Sequence, residues 1–414
     1  MTYHLRILHV ALIRFWSAIA WNALSQAEAL RRRGHQVWVA GVEGSPLARE
    51  VQTRQAHSRE AAAQAVHVLE TEVFERRPNG TEAAPQAVPS LITLPYIRPW
   101  TWPTVVARLR STLVTHAIDV AYVHTGSGHL ETHLARAGLG TAIVRIRADA
   151  RRPRGNRPQR WLHRHGAERV LVTGAYMLDD HLHGWGLPPQ HAVHVPPGID
   201  VEAIATNPAY DRATTRRKLA EHHGISTEEV WLGIVGRLSP VKGHAALLRA
   251  AAELAHEGRR FRLWVVGAEK QVSVQHLRSF AADLGIGDRM VVTGFVDDAL
   301  AYAAALDVGI VCSLGSEAVS RSALEFMALG VPVVATRVGA LPEIVGDARQ
   351  LAVPGDPAAL ARVLARLIDN ADLRARAGEE GFDRVRHRFS LAKLGERCER
   401  AGREALALRR GTLL

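Results

Sequence analysis

The chain has little that would staple it, anchor it or load it with a metal. Two cysteines, Cys312 and Cys398, stand far apart in 414 residues without C-x-x-C spacing. That argues against a disulfide framework and against a thiolate zinc site. No apolar run reaches the roughly 20 residues that a membrane-spanning helix needs. Neither a G-x-G-x-x-G after the first expected strand nor a G-x-x-x-x-G-K-[ST] is present, which argues against a dinucleotide fingerprint and a P-loop. D-x-D is missing too. The pairs Asp179-Asp180 and Asp297-Asp298 read as turn and cap residues. His163-x-His165 and His181-x-His183 lack a matched third ligand. We therefore expect no metal site and no cofactor.

Lysine is scarce as well. Lys218, Lys242, Lys270 and Lys393 are the four, so the net charge of +11 comes almost wholly from arginine. Such an excess fits an anionic partner (a phosphorylated substrate, an anionic membrane surface or nucleic acid) or a merely solvated basic face. A hydrophobic fraction of 47% with 22% charged residues is ordinary globular composition. The length suits two or three domains. Arg6, the apolar run Ile7–Ile13 and the small residues from Ala18 imitate a signal peptide. Arg14 interrupts that region, and Ile7–Leu12 also reads as the first strand of a βα series. The expectation is an uncleaved, cytoplasmic protein.

What the chain does have is alternation. Strand candidates are Arg6–Leu12, Gln36–Val42, Asp119–Thr125, Ala142–Arg147, Arg169–Thr173 and Ala192–Val195. Between the first two, Ala18–Arg33 has helical spacing and ends in arginines followed by Gly34. Thr53–Ser90 is rich in Ala, Glu and Pro and gives no assignment. Pro196-Pro197-Gly198-Ile199-Asp200 breaks the series, and Val201–Thr215 reads as linker. A second series follows, with strands Val230–Val235, Phe261–Val266, Met290–Thr293, Val308–Cys312, Val331–Ala335 and Gln350–Val353. Its helices include His244–Glu257, Ser320–Leu329 and Ala358–Asp369. Ser390–Leu408 reads as one amphipathic helix. The expected fold class is α/β, with two doubly wound Rossmann-like domains facing across a cleft. The expected division is a first domain over 1–200, a second over 201–388, and a final helix over 389–414.

In such sheets ligands bind beyond the carboxyl ends of strands. After Val230–Val235 comes Gly236-Arg237-Leu238-Ser239-Pro240-Val241-Lys242-Gly243: two cations beside a helix start, suited to a diphosphate or to a cationic surface loop. After Val308–Cys312 comes a polar loop carrying Glu317, then a helix carrying Glu325. The helix should offer free N–H groups around Val319–Ser322, with Ser320 or Ser316 as N-cap. Glu325 is flanked by Leu324, Phe326 and Met327, so an ionised group there needs a partner.

Together, Gly236-Arg237…Lys242-Gly243, Thr293-Gly294-Phe295-Val296, Glu317-x7-Glu325 and Gly330-Val-Pro-Val-Val-Ala-Thr…Pro342-Glu343-Ile344-Val345 resemble the donor-binding domain of the retaining GT-B glycosyltransferases of family four, of the bacterial lipopolysaccharide and polysaccharide type. The resemblance implies that Arg237 and Lys242 hold the donor diphosphate, that Glu325 binds the ribose and that Glu317 binds hydroxyls of the transferred sugar. It implies helix-start amides near Val319 and Ser320 on sugar or phosphate, and Gly236, Gly294 and Phe295 around the nucleotide. It further implies an acceptor-binding role for 1–200, nucleotide-sugar binding by 201–388, and a final helix over 389–414 that crosses back to the first domain. Arg33-Gly34-His35-x-Val37 and Pro197-Gly198-Ile199-Asp200 fit the same family. His124 looks like its strand-end histidine near the reacting sugar. One departure stands out: many relatives carry Gly-Gly after the first strand, where this chain reads Ile13-Arg14-Phe15-Trp16-Ser17-Ala18. Ser17 would then serve the donor, and Trp16 the acceptor side.

Nine arginines between Arg145 and Arg169, including Arg151, Arg152 and Arg154, rim the expected cleft and suit phosphate or carboxylate. The implied partners are a nucleotide sugar and an anionic or lipid-linked glycan, with an anionic membrane as a peripheral contact. No nucleic acid is expected. Pro99-Trp100-Thr101-Trp102-Pro103 either packs down a loop or dips into an interface. The expected activity is metal-independent transfer of a hexosyl-type sugar to a hydroxyl, in cell-surface glycan or glycolipid synthesis. Its rivals are a nucleotide-sugar epimerase of the same fold, a dinucleotide oxidoreductase and a basic nucleic-acid-binding protein.

Overall fold

The computed structural model describes residues 3–69, 88–150 and 156–411. Seven strands form the first sheet: β1 (Arg6–Ala11), β2 (Gln36–Val42), β3 (Ser90–Leu94), β4 (Val120–Val123), β5 (Ala142–Arg147), β6 (Arg169–Val172) and β7 (Ala192–His194). Six form the second: β8 (Val230–Val235), β9 (Phe261–Val266), β10 (Met290–Gly294), β11 (Val308–Val311), β12 (Val333–Thr336) and β13 (Leu351–Ala352). Their orders are β3-β2-β1-β4-β5-β6-β7 and β10-β9-β8-β11-β12-β13. All recorded pairings are parallel, with Ile7 opposite both Val37 and Val120, and Val308 opposite Leu232. Parallel strands covered on both faces need side chains apolar in either direction. That is why Val120–Val123 and Val308–Val311, unbroken apolar runs, are buried throughout. In each sheet the strand order reverses once, at β1/β4 and at β8/β11. Those reversals are where a doubly wound sheet opens a crevice.

The stretch over 53–90, open to a helix and a loop, and the expected linker both carry structure among the described residues. Pro46–Leu69 is a helix, and β3 pairs with β2 at the sheet edge. Four of the five β3 residues are only partly buried, so the strand never needed a strong apolar pattern. Val201–Thr215 is not a plain linker. Helices Val201–Ala205 and Arg212–His223 and a 3-10 turn at Pro208–Tyr210 occupy it, and the side chains of Asp200, Asp211 and Asn207 accept hydrogen bonds from their first turns. Capping replaces the missing periodicity. Ile199, Val201 and Ile204 seat this segment in the core of the second domain.

The chain crosses between domains twice, and the two crossings pair. Ile199 N–H donates to Phe389 O, and Leu391 N–H donates to Ile199 O, each at 2.8 Å. The final helix, Leu391–Arg409, then lies against the Ala18–Arg32 helix and the first sheet. Its seat is polar as well as apolar. Tyr122 Oη donates to Cys398 O at 2.6 Å. Burial would raise the Glu399 carboxyl, but hydrogen bonds from Arg33 and Arg403 outweigh it and hold it at about 2. Gly402 lets the helix approach, because a Cβ there would collide with the Tyr122 hydroxyl. Gly402→Ala should therefore cost about 1–3 kcal/mol in urea unfolding by overpacking, although alanine is the better helix former. Tyr122→Phe in the same chain should recover part of the loss. A gain in stability from Gly402→Ala alone would show that the helix shifts freely.

Candidate active site

The loops after β8 and β11 flank the reversal in the second sheet, and one carboxylate joins them. Lys242 Nζ lies 2.6 Å from Glu317 Oε1, and Ser313 Oγ donates to the same oxygen at 2.5 Å. Leu314 N–H donates to Val241 O at 2.7 Å, and Cys312 Sγ lies 3.3 Å from Lys242 O. Two glycines permit this approach. Gly243 (φ +77°) brings its backbone against the Cys312 carbonyl, and Gly339 (φ +55°) against that of Glu317; a side chain at either would clash. Ala340 N–H holds Glu317 O at 2.7 Å from the other side. The Glu317 side chain is 4% exposed and that of Lys242 27%, so the ion pair is open at its cationic end.

The helix after this loop starts at Arg321, not at Ser320. Ser320 occupies the cap position but does not cap it. Its backbone is left-handed (φ 41°) and its side chain accepts nothing from the helix. Its Oγ is buried and has no partner. Ser316 is left-handed as well (φ 63°). Two non-glycine residues in this region within one loop store about 1–3 kcal/mol each. With the cap unused, the N–H groups of Val319–Ser322 have no acceptor among the described residues. The result is an uncompensated helix start, buried hydroxyl included, four residues along the chain from the Glu317 that pairs with Lys242; such a start suits an anion or a polyol.

Arg237 is exposed and makes no hydrogen bond or ion pair among the described residues. Gly236 N–H donates to Val266 O, and Gly267 N–H to Gly294 O, so the loops after β8, β9 and β10 share one edge. Phe295 is 73% exposed there. Glu325, one turn into the helix, is buried, and Arg321 Nε donates to it at 2.6 Å. Burial raises its carboxyl above the ordinary 4.5, Arg321 opposes that and Asp298 adds to it.

Across the cleft the first domain meets the same loop. Thr173 Oγ1 donates to Ala318 O at 2.9 Å, and Ala318 and Val319 pack with Leu171, Val172 and Met177. Val319 thus offers a ligand its amide, while its side chain plugs the first domain. Glu343 reaches back over the same gap to Ala175 N–H and His194 Nε2, each at 3.0 Å. His124 does not line the opening. It is 1% exposed, its Nε2 lies 3.0 Å from His9 Nδ1, and burial holds it well below the usual histidine range. The Ser17 hydroxyl is committed to capping the Ala18–Arg32 helix, accepting from Ala20 N–H at 3.3 Å. Trp16 is 36% exposed. Arg14 stacks its guanidinium over Tyr96 at 4.7 Å, joining the loop after β1 to the loop after β3. The tryptophan pair divides: Trp100 is exposed, whereas Trp102 opens a helix and donates to Glu131. Arg151, Arg152 and Arg154 lie outside the described residues. Sequence reasoning missed the Arg321–Glu325 pair, although i, i+4 spacing on an expected helix was signal enough.

Residues 20–203 match the family described as Glycosyltransferase Family 4, and residues 229–370 match Glycosyl transferases group 1. The chain belongs to the GT-B glycosyltransferases of family four. Its family relatives include a D-inositol 3-phosphate glycosyltransferase of Corynebacterium efficiens, 34% identical over 55% of this chain and 54% of that one. A 2-deoxystreptamine glucosyltransferase of Streptomyces kanamyceticus is 37% identical over 44% of this chain and 47% of that one. The chain thus spans about half the length of the curated relatives it matches. Among solved structures, a glycosyltransferase from Rickettsia africae superposes with a TM-score of 0.76 at 16% identity, covering 98% of this chain and 99% of that one. Anabaena HepE in complex with UDP-glucose gives 0.72 at 19%, covering 96% and 99%. These likenesses establish the GT-B fold of two Rossmann-like domains.

The buried Glu325 makes a stability prediction. Its folded-state value lies above the unfolded one, so the folded state binds the extra proton in the window between them. Stability then falls as pH rises through that window, and the penalty persists above it. Glu325→Gln should raise the melting temperature at pH 8, with the gap closing as pH falls towards the unfolded value of 4.5. Equal melting curves at pH 8 would count against an ionised, desolvated Glu325.

Proposed function

We propose that this chain transfers a sugar from a nucleoside diphosphate donor to a hydroxyl acceptor. The observation that carries the reading is the junction of Lys242 with Glu317 beneath the uncapped helix start. Arg237, without a partner among the described residues, and Lys242 would take the diphosphate. Lys242 would exchange one Glu317 oxygen for phosphate and stabilise the charge that develops on the leaving nucleotide, the kind of electrostatic contribution that dominates such barriers. Glu317, released, would accept from hydroxyls of the transferred sugar. The amides of Val319 and Ser320 and the Ser320 hydroxyl would meet sugar or phosphate, and Glu325 would accept from the ribose diol. Gly236, Gly294 and Phe295 would border the nucleotide.

The first domain then supplies the acceptor side, with Trp16 at its rim. Its arginines favour an anionic acceptor, and a phosphorylated polyol such as D-inositol 3-phosphate is the first to try, given the relative of that name. A lipid-linked or lipopolysaccharide-type glycan is the other reading, supported by the exposed Trp100 and the net charge of +11. In this reading the enzyme works in the cytoplasm or on the inner membrane face, needs no metal or cofactor, and retains anomeric configuration in moving a hexosyl-type sugar.

Thermal shift and hydrolysis against a panel of nucleotide sugars would identify the donor. Donor alone converted to an epimer would overturn transfer in favour of epimerisation, and anomeric analysis of a product would test retention. Lys242→Ala should lower kcat at least roughly tenfold, the loss expected when a charge-stabilising donor is removed. The circular dichroism spectrum should stay that of the folded enzyme. Turnover at the wild-type rate would remove Lys242 from the chemistry.

A further inference from the structure

We propose that Arg321 is a positioning residue for the donor: it keeps the Glu325 carboxylate ionised and aimed, and ties it to the first domain across the cleft. The inference deepens the proposed function and rests on reading Glu325 as the ribose acceptor.

Arg321 is the first residue of its helix, and Glu325 follows one turn later. An exposed pair at that spacing contributes little. This pair is not symmetrical. The arginine side chain is 42% exposed and the glutamate side chain 12%. Its neighbours on the helix, Leu324, Phe326 and Met327, belong to one buried cluster. The other groups acting on it are unhelpful to an anion or neutral. Asp298, at the start of the Ala299–Ala304 helix, repels it, and Tyr210 approaches from the Pro208–Tyr210 turn. Among the described residues, Arg321 is the one cation acting on Glu325. A buried carboxylate deprived of its counter-ion takes up a proton rather than staying charged. Protonated, it loses part of its accepting capacity, since one oxygen becomes a donor. A ribose diol, which must donate to it twice, would then be poorly held.

The guanidinium has a second contact. Its Cζ lies 5.8 Å from the ring of Trp21, on the Ala18–Arg32 helix of the first domain. One cation therefore touches the ribose-side carboxylate of the second domain and an aromatic face of the first. A planar guanidinium can do both at once, presenting Nε at its edge and its face to a ring; an ammonium cannot.

The test uses the full chain and calorimetric binding of UDP, GDP and ADP, continuing with whichever binds wild type most tightly. Wild-type affinity between about pH 8.5 and pH 6 sets the reference slope, which includes titration of the nucleotide's terminal phosphate. Arg321→Met should bind moderately less well at the higher pH and lose about tenfold more than wild type on acidification, with the kinetic loss in donor KM more than in kcat. Arg321→Lys should restore most of the wild-type profile. Trp21→Ala should weaken binding a few-fold while keeping the wild-type slope. Glu325→Gln separates the two layers of the argument. If it leaves affinity unchanged, the ribose reading fails. If it weakens binding while Arg321→Met follows wild type at both pH values, the ribose reading stands and the role of Arg321 is overturned.

Discussion

Glu317 is the point on which the arrangement of the second domain's ligand loops depends. A carboxylate almost withdrawn from water has to be matched, and Lys242 and Ser313 match it at one oxygen, while the Ala340 amide holds the backbone carbonyl of the same residue. Satisfying the buried charge ties the loop after β8 to the loop after β11, and the backbone bond ties the loop after β12 to both. It also explains the glycines, since Gly243 and Gly339 sit where backbones meet too closely for a Cβ. The cost of desolvating an ion is the reason these loops are not independently mobile decorations. The strain at Ser316 and Ser320 belongs to the same account. It persists because the surrounding contacts over-determine the loop.

Much of this was legible in sequence, for reasons that can be named. Strands covered on both faces must be apolar in both directions, so β2, β5, β8 and β9 fall on the residues their patterns predict. Arg237 and Lys242 were marked as two cations beside a helix start, and Glu317 and Glu325 as carboxylates before and on the next helix; the structure joins Lys242 to Glu317 and leaves Arg237 exposed in the same loop. What was hidden is whatever depends on a partner remote in the chain. β3 borrows its order from β2, and its half-exposed face gave no signal. The helices after Asp200 start on caps, not on periodicity. Ser320 has a cap residue's identity without its geometry, and no local pattern distinguishes the two. His124 was marked from its place at a strand end, but strand ends near a reversal can also be roofed over, and here His9 is its partner.

The arginine excess also changes meaning once partners are known. Arg136 holds Glu168 at 2.7 Å in the interior, and Arg216 bridges Asp307 to the carbonyls of Thr227 and Ala305. Arg384 donates to the carbonyls of Ile344 and Glu343. Arg145 is fully buried, without a salt-bridged carboxylate, and burial lowers it to about 9. Guanidinium forks suit these multi-acceptor seats better than ammonium groups do, so part of the bias against lysine has a structural reason. Net charge alone overstates what the surface offers an anion; the free donors at Arg237 and the partly open Lys242 matter more than the sum.

Domain closure can be argued from the same ledger of contacts. The paired crossings at Ile199 and Phe389–Leu391 form a short parallel bridge, a hinge of two hydrogen bonds. Beyond the hinge, the domains meet through small contacts: Thr173 on Ala318, Glu343 on Ala175 and His194, and Trp21 on Arg321. Each is a single polar contact or a cation–π contact, modest in net value. Added to the packing of Ala318 and Val319, they favour a closed cleft without locking it. The contacts at Ala318 and Arg321 are made by the loop and helix that carry the expected donor-binding groups. A ligand that settles that loop therefore stabilises the surfaces on which the first domain rests. By linkage, closing the cleft must improve the ligand's hold by the same factor.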